Sequence, residues 1–375
     1  MKRPFRIMIF LVMSLAAVVA GCSKTQEAGG KEERIKVGFI APLTGDLAYI
    51  GENMLSAVEI ARDEINRGNW AGGKKIELIV EDGKCDPKEA ANAGNKLINI
   101  DRVPAIIGGL CSSETLAVVP LAERSKVILF SAASTNPKIS ESGDYIFRNV
   151  PSDAFQGVFA AQYVKTRLGK GSVALLKCLS DWCMGVNDSF KAEFLKLGGK
   201  ITSEEAFPQD SRDLRSQLAK LKASGPELVY FVSYTEGSIV GIRQMRELGI
   251  KAPLFGADAW SDPKIWESVG ENGEGAMYVE PANNDIPRAF IDAMNKKTGG
   301  KEINVYAPRA YDALKLLASV MQKAGTDTAA IKQGIYNTAN YQGIADSYTF
   351  DKNGDITNAR YVVKEVRNGK GVPAK

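Results

Sequence analysis

The sequence predicts an α/β protein made of two lobes, each of them a doubly wound parallel sheet. Short apolar runs alternate with amphipathic helical periods along most of the chain, a pattern typical of parallel strands covered by helices on both faces. About 340 residues follow the first 33, which is more than one hydrophobic core usually serves. Because the alternation occurs as two successive sets, we expect one lobe from each set.

The first set begins after residue 33. We expect its helices at residues 54–66, 88–100 and 114–123, and its strands at residues 35–40, 75–80, 105–107 and 127–130. The helix at 88–100 has the strongest start signal, Asp86-Pro87-Lys88-Glu89. This places an N-cap acid before a proline at the first helical position, with a glutamate three residues after the cap.

The second set is followed by a segment in which the alternation breaks down. Its helices are expected at residues 155–168, 186–197, 213–223 and 239–248, and its strands at residues 173–177, 200–206, 228–232 and 253–255. Three consecutive helices follow, at residues 290–297, 310–323 and 329–336. Strands at 348–351 and 360–366, around a turn at Asp351–Asp355, predict an antiparallel hairpin. This ending indicates that the chain crosses between the lobes more than once.

The N-terminus is predicted to be an export signal, residues 1–21. Three basic residues precede an apolar run at 7–19, which is too short to span a bilayer. The run ends in Val19-Ala20-Gly21-Cys22, which resembles the lipobox of bacterial lipoproteins. That resemblance implies cleavage before Cys22 and a lipid on its sulfur. A plain secretory signal is the alternative.

The segment after Cys22 is expected to be a flexible tether at residues 22–33, because it is polar, contains glycine and lacks periodicity. The chain has 48 basic and 44 acidic residues, and three of the basic ones lie in residues 1–21. The mature chain is therefore almost neutral, which argues against a nucleic-acid partner. No second apolar stretch is long enough to cross a membrane. We expect a monomer that is soluble apart from its anchor.

Four cysteines remain once Cys22 is assigned to lipid: Cys85, Cys111, Cys178 and Cys183. An even number in an exported protein indicates two disulfides. Of the three possible pairings, the sequence neighbours Cys85–Cys111 and Cys178–Cys183 are the simplest. A metal site is the rival interpretation, but the chain contains no histidine and the spacings are not those of a zinc site.

The absence of histidine also argues against an enzyme. It excludes a Ser-His-Asp triad, a Cys-His pair and a histidine-based metal hydrolase. The chain has neither GxGxxG after its first strand nor GxxxxGK[ST], so no cofactor is expected. Gly108-Gly109 before Cys111-Ser112-Ser113 instead lies where a strand ends and a helix begins, and such a position attracts an anion.

Three segments carry a family resemblance. Cys85-Asp86-Pro87-Lys88, Leu110-Cys111-Ser112-Ser113 and Ser134-Thr135-Asn136-Pro137 occur in this order with family-like spacing. They resemble segments of the leucine/isoleucine/valine-binding proteins, type I periplasmic binding proteins that feed ABC transporters. The resemblance implies two lobes joined by three crossover strands, near residues 150–152, 279–282 and 344–347. Lobe 1 would comprise residues 34–151 and 282–345, and lobe 2 residues 152–281 and 346–375.

The resemblance also implies a ligand site. In that family a serine at a helix N-terminus and a nearby threonine hold the α-carboxylate of an amino acid, and these match Ser112 and Thr135. Such a position suits a carboxylate because hydroxyl and backbone N–H groups meet there. The carbonyl group matching Ala133 would accept from the α-ammonium group. Asp258 from the second lobe would pair with the same ammonium group, and Tyr234 would contact the ligand.

The side-chain pocket departs from the family pattern. Asp258 replaces a glutamate of the family, so this acid reaches one methylene less far. Trp182 stands where the family has a tyrosine, and Ile50 stands where it often has one. The resemblance therefore implies an amino-acid ligand without identifying it.

These inferences predict a non-catalytic receptor, lipid-anchored in the periplasm or at the cell surface. It would capture a free amino acid, branched-chain or similar, and deliver it to the permease subunits of an ABC importer. A ligand that touches both lobes favours their closed form. The alternative is a ligand-sensing receptor of the same fold that binds a small carboxylate or amide.

Overall fold

The computed structural model describes residues 33–374, and these residues form an α/β structure, as predicted. The predicted signal peptide at 1–21, the predicted lipidation site Cys22 and the predicted tether up to Glu32 lie outside the described residues. Within the described range, no helix combines the length and apolar character needed to cross a bilayer.

The first sheet has five parallel strands in the order β2-β1-β3-β4-β5. They are β1 (Arg34–Ala41), β2 (Lys75–Asp82), β3 (Ala105–Ile107), β4 (Ile128–Ser131) and β5 (Ile146–Arg148). The helices between them are α1 (Ala48–Arg67), α2 (Pro87–Asn95) and α3 (Ser112–Ser125). We call this sheet and the helices packed on it lobe 1.

The second sheet has seven strands in the order β14-β13-β10-β9-β8-β6-β7. Its parallel strands are β6 (Ser172–Cys178), β7 (Lys200–Phe207), β8 (Val229–Val232), β9 (Leu254–Gly256) and β10 (Met277–Pro281). Its helices are α4 (Asp153–Gln162), α5 (Asp181–Lys196), α6 (Arg215–Ala223), α7 (Thr235–Glu247) and α8 (Pro263–Val269). We call this sheet and its helices lobe 2.

Local sequence signals explain the main elements. The carboxylate of Asp86 accepts from the backbone N–H groups of Lys88 at 2.8 Å and Glu89 at 2.9 Å, so it caps α2 as predicted. All residues of β3, β4 and β8 are buried, which agrees with their continuous apolar sequences. Helices α2 and α4 each continue into a π-helical turn, Lys96–Ile100 and Tyr163–Arg167.

The chain returns to lobe 1 after β10. Three helices follow, α9 (Arg288–Thr298), α10 (Ala307–Ala324) and α11 (Thr328–Tyr336). Helix α10 packs against α1, β3 and β4, helix α9 packs against α1, and helix α11 packs against α10 and β4. The three consecutive helices predicted near the C-terminus thus complete the covering of the first sheet.

The predicted hairpin between residues 348–351 and 360–366 is wrong. Strand β12 (Ser347–Tyr348) pairs with β11 (Tyr341–Gln342), while β13 (Tyr361–Arg367) lies antiparallel between β10 and β14 (Lys370–Pro373). The turn at 351–355 does form, but it closes only a single bridge between Phe350 and Ile356. Local patterning could not reveal that the partner of β13 lies some 80 residues earlier in the chain.

The third passage between the lobes also lies later than expected. The Tyr348 hydroxyl donates to Asp312 Oδ2 on α10 at 2.7 Å, and the Phe350 ring lies 5.8 Å from that of Phe130 on β4. Residues 347–356 therefore stay with lobe 1, and the last segment of lobe 2 starts near β13 rather than at residue 346. The other two passages lie between β5 and α4 and between β10 and α9.

Candidate functional site

The six predicted ligand-binding residues all lie just beyond the carboxyl ends of parallel strands. In open α/β sheets, ligands bind at these ends. The residues follow β3, β4, β6, β8 and β9, and they are Ser112, Ala133, Thr135, Trp182, Tyr234 and Asp258.

Five of these residues line one small cavity between the lobes. Ser112 and Ala133 contribute from lobe 1, and Trp182, Tyr234 and Asp258 from lobe 2. The remaining lining residues are Leu47, Ile50, Leu110, Ala259 and Tyr306. About 20 Å³ of the cavity is open to the centre of a water molecule, which is room for roughly one water. A ligand of amino-acid size can therefore enter only when the lobes separate.

The lobe 1 wall contains a site suited to an anion. Ser112 is the first residue of α3, and the Glu114 carboxylate holds the preceding turn by accepting from the backbone N–H of Leu110 at 3.0 Å and of Cys111 at 2.9 Å. Ser112 Oγ accepts from the backbone N–H of Asn136 at 3.2 Å, so its own proton can be donated into the cavity. The first-turn N–H groups of α3 add to this donor set.

A disulfide holds this helix start in place. Cys85 and Cys111 are bonded, with their Cα atoms 5.4 Å apart, and the backbone N–H of Cys85 donates to Glu114 Oε1 at 3.0 Å. Burial raises the pKa of Glu114 to about 7. Cys178 and Cys183 form the second disulfide, and Trp182 lies in the short loop that it closes. Both pairings are the sequence-neighbour pairings.

Thr135 is the predicted site residue that does not line the cavity. Its hydroxyl donates to Asp153 Oδ2 at 2.9 Å, and both side chains are buried. A threonine hydroxyl has one proton, so this bond leaves none for a ligand carboxylate. In this arrangement the contribution of Thr135 is a hydrogen bond between lobe 1 and Asp153 at the start of α4 in lobe 2.

The lobe 2 wall carries a buried carboxyl group. Asp258 is 1% exposed, and its Oδ2 accepts from the hydroxyl of Tyr306, which stands at the start of α10 in lobe 1. Its Oδ1 has no partner in hydrogen-bond geometry among the described residues. Burial raises the pKa of Asp258 to about 6, although the nearby Gln156 side chain lowers the pKa of this carboxyl group. An unpartnered carboxylate oxygen in such a place favours a cationic ligand group.

A second buried acid lies near Asp258. Burial and then the charge of Asp258 raise the pKa of Asp153, while Arg148 opposes this shift. The Arg148 guanidinium is itself paired with Asp355, at 2.6 Å from Nε to Oδ1. Asp153 Oδ1 has no hydrogen-bond partner among the described residues. The lobe 2 side of the site therefore holds two carboxyl groups, each with an oxygen that can still accept a hydrogen bond from a ligand.

Aromatic and aliphatic side chains form the rest of the cavity wall. The rings of Trp182 and Tyr234 lie 4.7 Å apart, tilted by 30°. Opposite them, Ile50 from α1 and Leu110 before α3 are buried. The pocket therefore offers an apolar surface beside the two polar positions, which suits a ligand with polar groups at one end and a hydrocarbon group at the other.

Sequence reasoning missed Tyr306, Asp153 and three apolar lining residues. Tyr306 has no local motif, and it is separated from Asp258 by 48 positions in the chain. The Ser152 side chain caps α4 just before Asp153, but a cap alone does not indicate a site. The three missed apolar residues lie within three positions of residues that the sequence analysis does name. Leu47 precedes Ile50, Leu110 precedes Ser112, and Ala259 follows Asp258.

Comparisons with known proteins agree with this architecture. A family model described as periplasmic binding protein matches residues 34–370. The chain is similar to an amino acid binding protein of Pseudomonas aeruginosa, with 29% identity over 339 residues, which cover 88% of this chain and 90% of that protein.

Two solved structures are also similar to the chain. One is a leucine binding protein of Thermotoga maritima, with a TM-score of 0.85 and 29% identity over 91% of this chain and 98% of that one. The other is a branched-chain amino acid transporter substrate binding protein of Streptococcus pneumoniae in complex with isoleucine, with a TM-score of 0.83 and 26% identity over 90% and 98% of the two chains. Since the family model spans almost all described residues, this chain belongs to the periplasmic binding protein family, whose members bind solutes outside the cytoplasm.

Proposed function

We propose that the protein is a solute-binding lipoprotein that captures an α-amino acid with a branched-chain or similar side chain and delivers it to an ABC importer. One observation carries the proposal. The cavity joins hydroxyl and N–H donors on lobe 1 to an unpartnered carboxylate oxygen on lobe 2. An α-amino acid carries the two complementary charges on one carbon atom.

The walls of the cavity define how such a ligand binds. Its carboxylate group is held by Ser112 and the N-terminus of α3, and its ammonium group by Asp258 Oδ1 and the Ala133 carbonyl group. The side chain then packs against Trp182 and Ile50. An apolar side chain satisfies these walls without leaving a polar group unpaired. The leucine and isoleucine named for the similar solved structures support this ligand class.

Closure of the lobes completes the site. A ligand seated on lobe 1 gains the contacts with Trp182, Tyr234 and Asp258 only when lobe 2 approaches. Differential contact of this kind shifts the equilibrium towards the closed form. The closed form is then the one that docks onto the permease subunits. The protein performs no chemical step in this scheme, and it acts as a monomer.

Calorimetry with the purified mature protein tests the proposal. Each of the twenty amino acids is titrated, and we expect saturable 1:1 binding of leucine, isoleucine or valine, with weaker binding of charged amino acids. Loss of leucine uptake in cells that lack the protein would separate transport from sensing. Binding of small carboxylates or amides, with no binding of any amino acid, would contradict the proposal.

The lipid anchor at Cys22 is tested separately. We expect the native protein to partition with membranes and a Cys22→Ala variant to leave the membrane fraction. Intact-mass analysis should show the lipid on the native protein only. An unlipidated, freely soluble native protein would contradict the anchor and leave the ligand proposal untouched.

A further inference from the structure

A basic groove lies at the edge of lobe 1 opposite the ligand cavity. Strands β1 to β5 are parallel, so their amino-terminal ends share one edge while Ser112 and Ala133 follow the other. The groove has a volume of about 520 Å³, and its walls include Arg34, Lys36, Arg102, Pro104, Ser125 and Val127.

Positive charge dominates this groove. Lys36 and Arg102 are exposed, and the exposed Lys126 stands between two of the lining residues. Asp101 is the acidic residue of the lining, and its Oδ2 accepts from Lys96 at 3.0 Å. Lys96 also pairs with Glu81, so it offsets only part of this negative charge. Lys36, Arg102 and Lys126 still outnumber this one acid, and the groove retains its cationic character.

Two of these basic residues occupy backbone conformations that favour glycine. Arg102 has φ 56° and Lys126 has φ 55°, both in the left-handed region. A side chain is strained there relative to glycine. Stability alone would thus favour glycine at both positions, while the long basic side chains extend into solvent.

An apolar side chain stands beside the charges. Ile100 is 69% exposed, and its neighbours Asn99 and Asp101 line the groove. Basic side chains next to an exposed aliphatic one match a bilayer surface, where phosphate groups meet the first part of the acyl chains.

We propose that this edge, defined by Lys36, Ile100, Arg102 and Lys126, rests on the anionic phospholipid headgroups of the membrane to which the protein is tethered. The proposal rests on the lipid anchor of the proposed function. Strand β1 begins at Arg34 on this same edge, and the eleven residues 23–33 separate it from Cys22. They span at most about 40 Å, so the anchor holds the edge near the bilayer.

The orientation has a functional consequence. The ligand cavity lies at the carboxyl ends of the strands, and the eight residues of β1 place it roughly 26 Å from the groove. A protein that rests on the groove therefore presents its cleft to the aqueous phase, where solute is captured. Docking on a permease then requires the edge to leave the lipid surface, which weak electrostatic contacts allow.

Vesicle sedimentation tests the proposal with the mature chain carrying Cys22→Ser, so that no lipid anchor contributes. We expect binding to vesicles of 30% phosphatidylglycerol in phosphatidylcholine, reversal by 0.5 M salt, and no binding to phosphatidylcholine alone. Arg102→Glu with Lys126→Glu should lower the bound fraction at least fivefold. Arg102→Gly with Lys126→Gly should also lower the bound fraction. Because glycine suits the left-handed conformation at both positions, loss of the fold would not explain that result.

A matched control keeps the charge change and moves it to lobe 2. Lys200→Glu with Lys251→Glu alters two exposed lysines there and should leave vesicle binding unchanged. Leucine affinity, measured by calorimetry, should be the same in all variants, which separates this test from that of the ligand proposal. Equal binding to both vesicle types, or equal loss in the control, would overturn the proposal. Absence of vesicle binding would overturn it as well. Stabilisation of that chain against heat by inorganic phosphate would then identify a free anion, not a lipid surface, as the occupant of the groove.

Discussion

Asp258 and Asp153 place two carboxyl groups in the interior without a direct ion pair to a basic side chain among the described residues. Each has one oxygen bonded to a hydroxyl group and one oxygen without a partner in the part of the chain that the structure describes. Burial of a polar group in this state costs free energy unless a ligand completes its hydrogen bonds. At the scale of single residues, the site is thus incomplete in a way that an ammonium group corrects.

We predict that Asp258→Asn weakens amino-acid binding by about 2–5 kcal/mol, the range for breaking a buried charge pair. The amide keeps the shape of the side chain and removes its charge. Ser112→Ala should cost less, about 1 kcal/mol, because the N–H groups of α3 remain. Calorimetry with the identified ligand checks the order of the two effects. Normal binding by Asp258→Asn would indicate a ligand without an ammonium group.

The site should also make binding depend on pH. Burial raises the pKa of Asp258 to about 6 from 3.8, and raises that of Asp153. The stability contributed by protonated Asp258 is therefore complete below about pH 4 and is lost as the pH rises through 6. An ammonium ligand requires the carboxylate, so its affinity should fall up to about tenfold per unit below pH 6. Calorimetry at pH 5 and 7.5 measures this, and Asp258→Asn should remove most of the dependence.

The residues of the site differ in how far sequence could reveal them. Ser112 and Asp258 follow strand ends and belong to recognisable segments, so both could be placed. The sequence predicts a ligand contact for the Thr135 hydroxyl, and in the structure this hydroxyl donates to Asp153. Such a partner depends on how two lobes meet, and no spacing within one segment encodes it. Tyr306 was missed for the same reason.

At the scale of elements, the Cys85–Cys111 disulfide joins the loop after β2 to the N-cap of α3. It closes a 26-residue separation, which stabilises the fold by about 3 kcal/mol in the chain-entropy model. We predict that Cys85→Ser with Cys111→Ser lowers the free energy of unfolding by about this amount and also weakens ligand binding, since Ser112 is the next residue. Chemical denaturation and calorimetry measure the two effects.

Cys178→Ser with Cys183→Ser provides the comparison. That disulfide closes a separation of only five residues, so the loss of stability should be smaller. Equal stability of the Cys85/Cys111 double variant and the wild type would show that the helix start is held by Glu114 alone.

Helices and strands could be predicted where the apolar pattern within a single segment is enough to identify them. The alternation of buried strands and amphipathic helices predicts most of the parallel strands of both sheets, and the predicted strand at 105–107 coincides with β3. The ending failed because pairing of β13 with β10 depends on contacts between distant segments. The short β5 was missed because one of its three residues is Arg148, whose burial depends on an ion pair with the distant Asp355.

At the scale of the whole molecule, contacts across the cleft hold the lobes together. Thr135 bonds to Asp153, Tyr306 bonds to Asp258, and the side chain of Asn136 donates to the Asp181 carbonyl group. An ion pair between Asp46 and Arg212, 3.1 Å apart, lies at the rim, where exposed pairs contribute little. Closure therefore depends mainly on the buried contacts and on close packing near them.

Gly185 on α5 allows closure to be tested without touching a ligand-binding group. A Cβ atom there would lie 2.6 Å from Asn136 Nδ2 and 2.9 Å from Pro137 Cδ, both on lobe 1. We predict that Gly185→Leu keeps lobe 2 folded, since leucine favours helix, but prevents full closure. Overpacking of this kind costs about 1–3 kcal/mol, so ligand affinity should fall about tenfold or more.

The control for this variant is Ala192→Leu, an exposed position on the same helix that changes size by a similar amount. Small-angle scattering with saturating ligand should give a larger radius of gyration for Gly185→Leu than for the wild type or the control. The ligand-free proteins should melt at similar temperatures, because the clash arises only between lobes. Wild-type affinity and compaction in Gly185→Leu would mean that the ligand binds without the approach of α5 to Asn136, and the bridging of both lobes by one ligand would have to be abandoned.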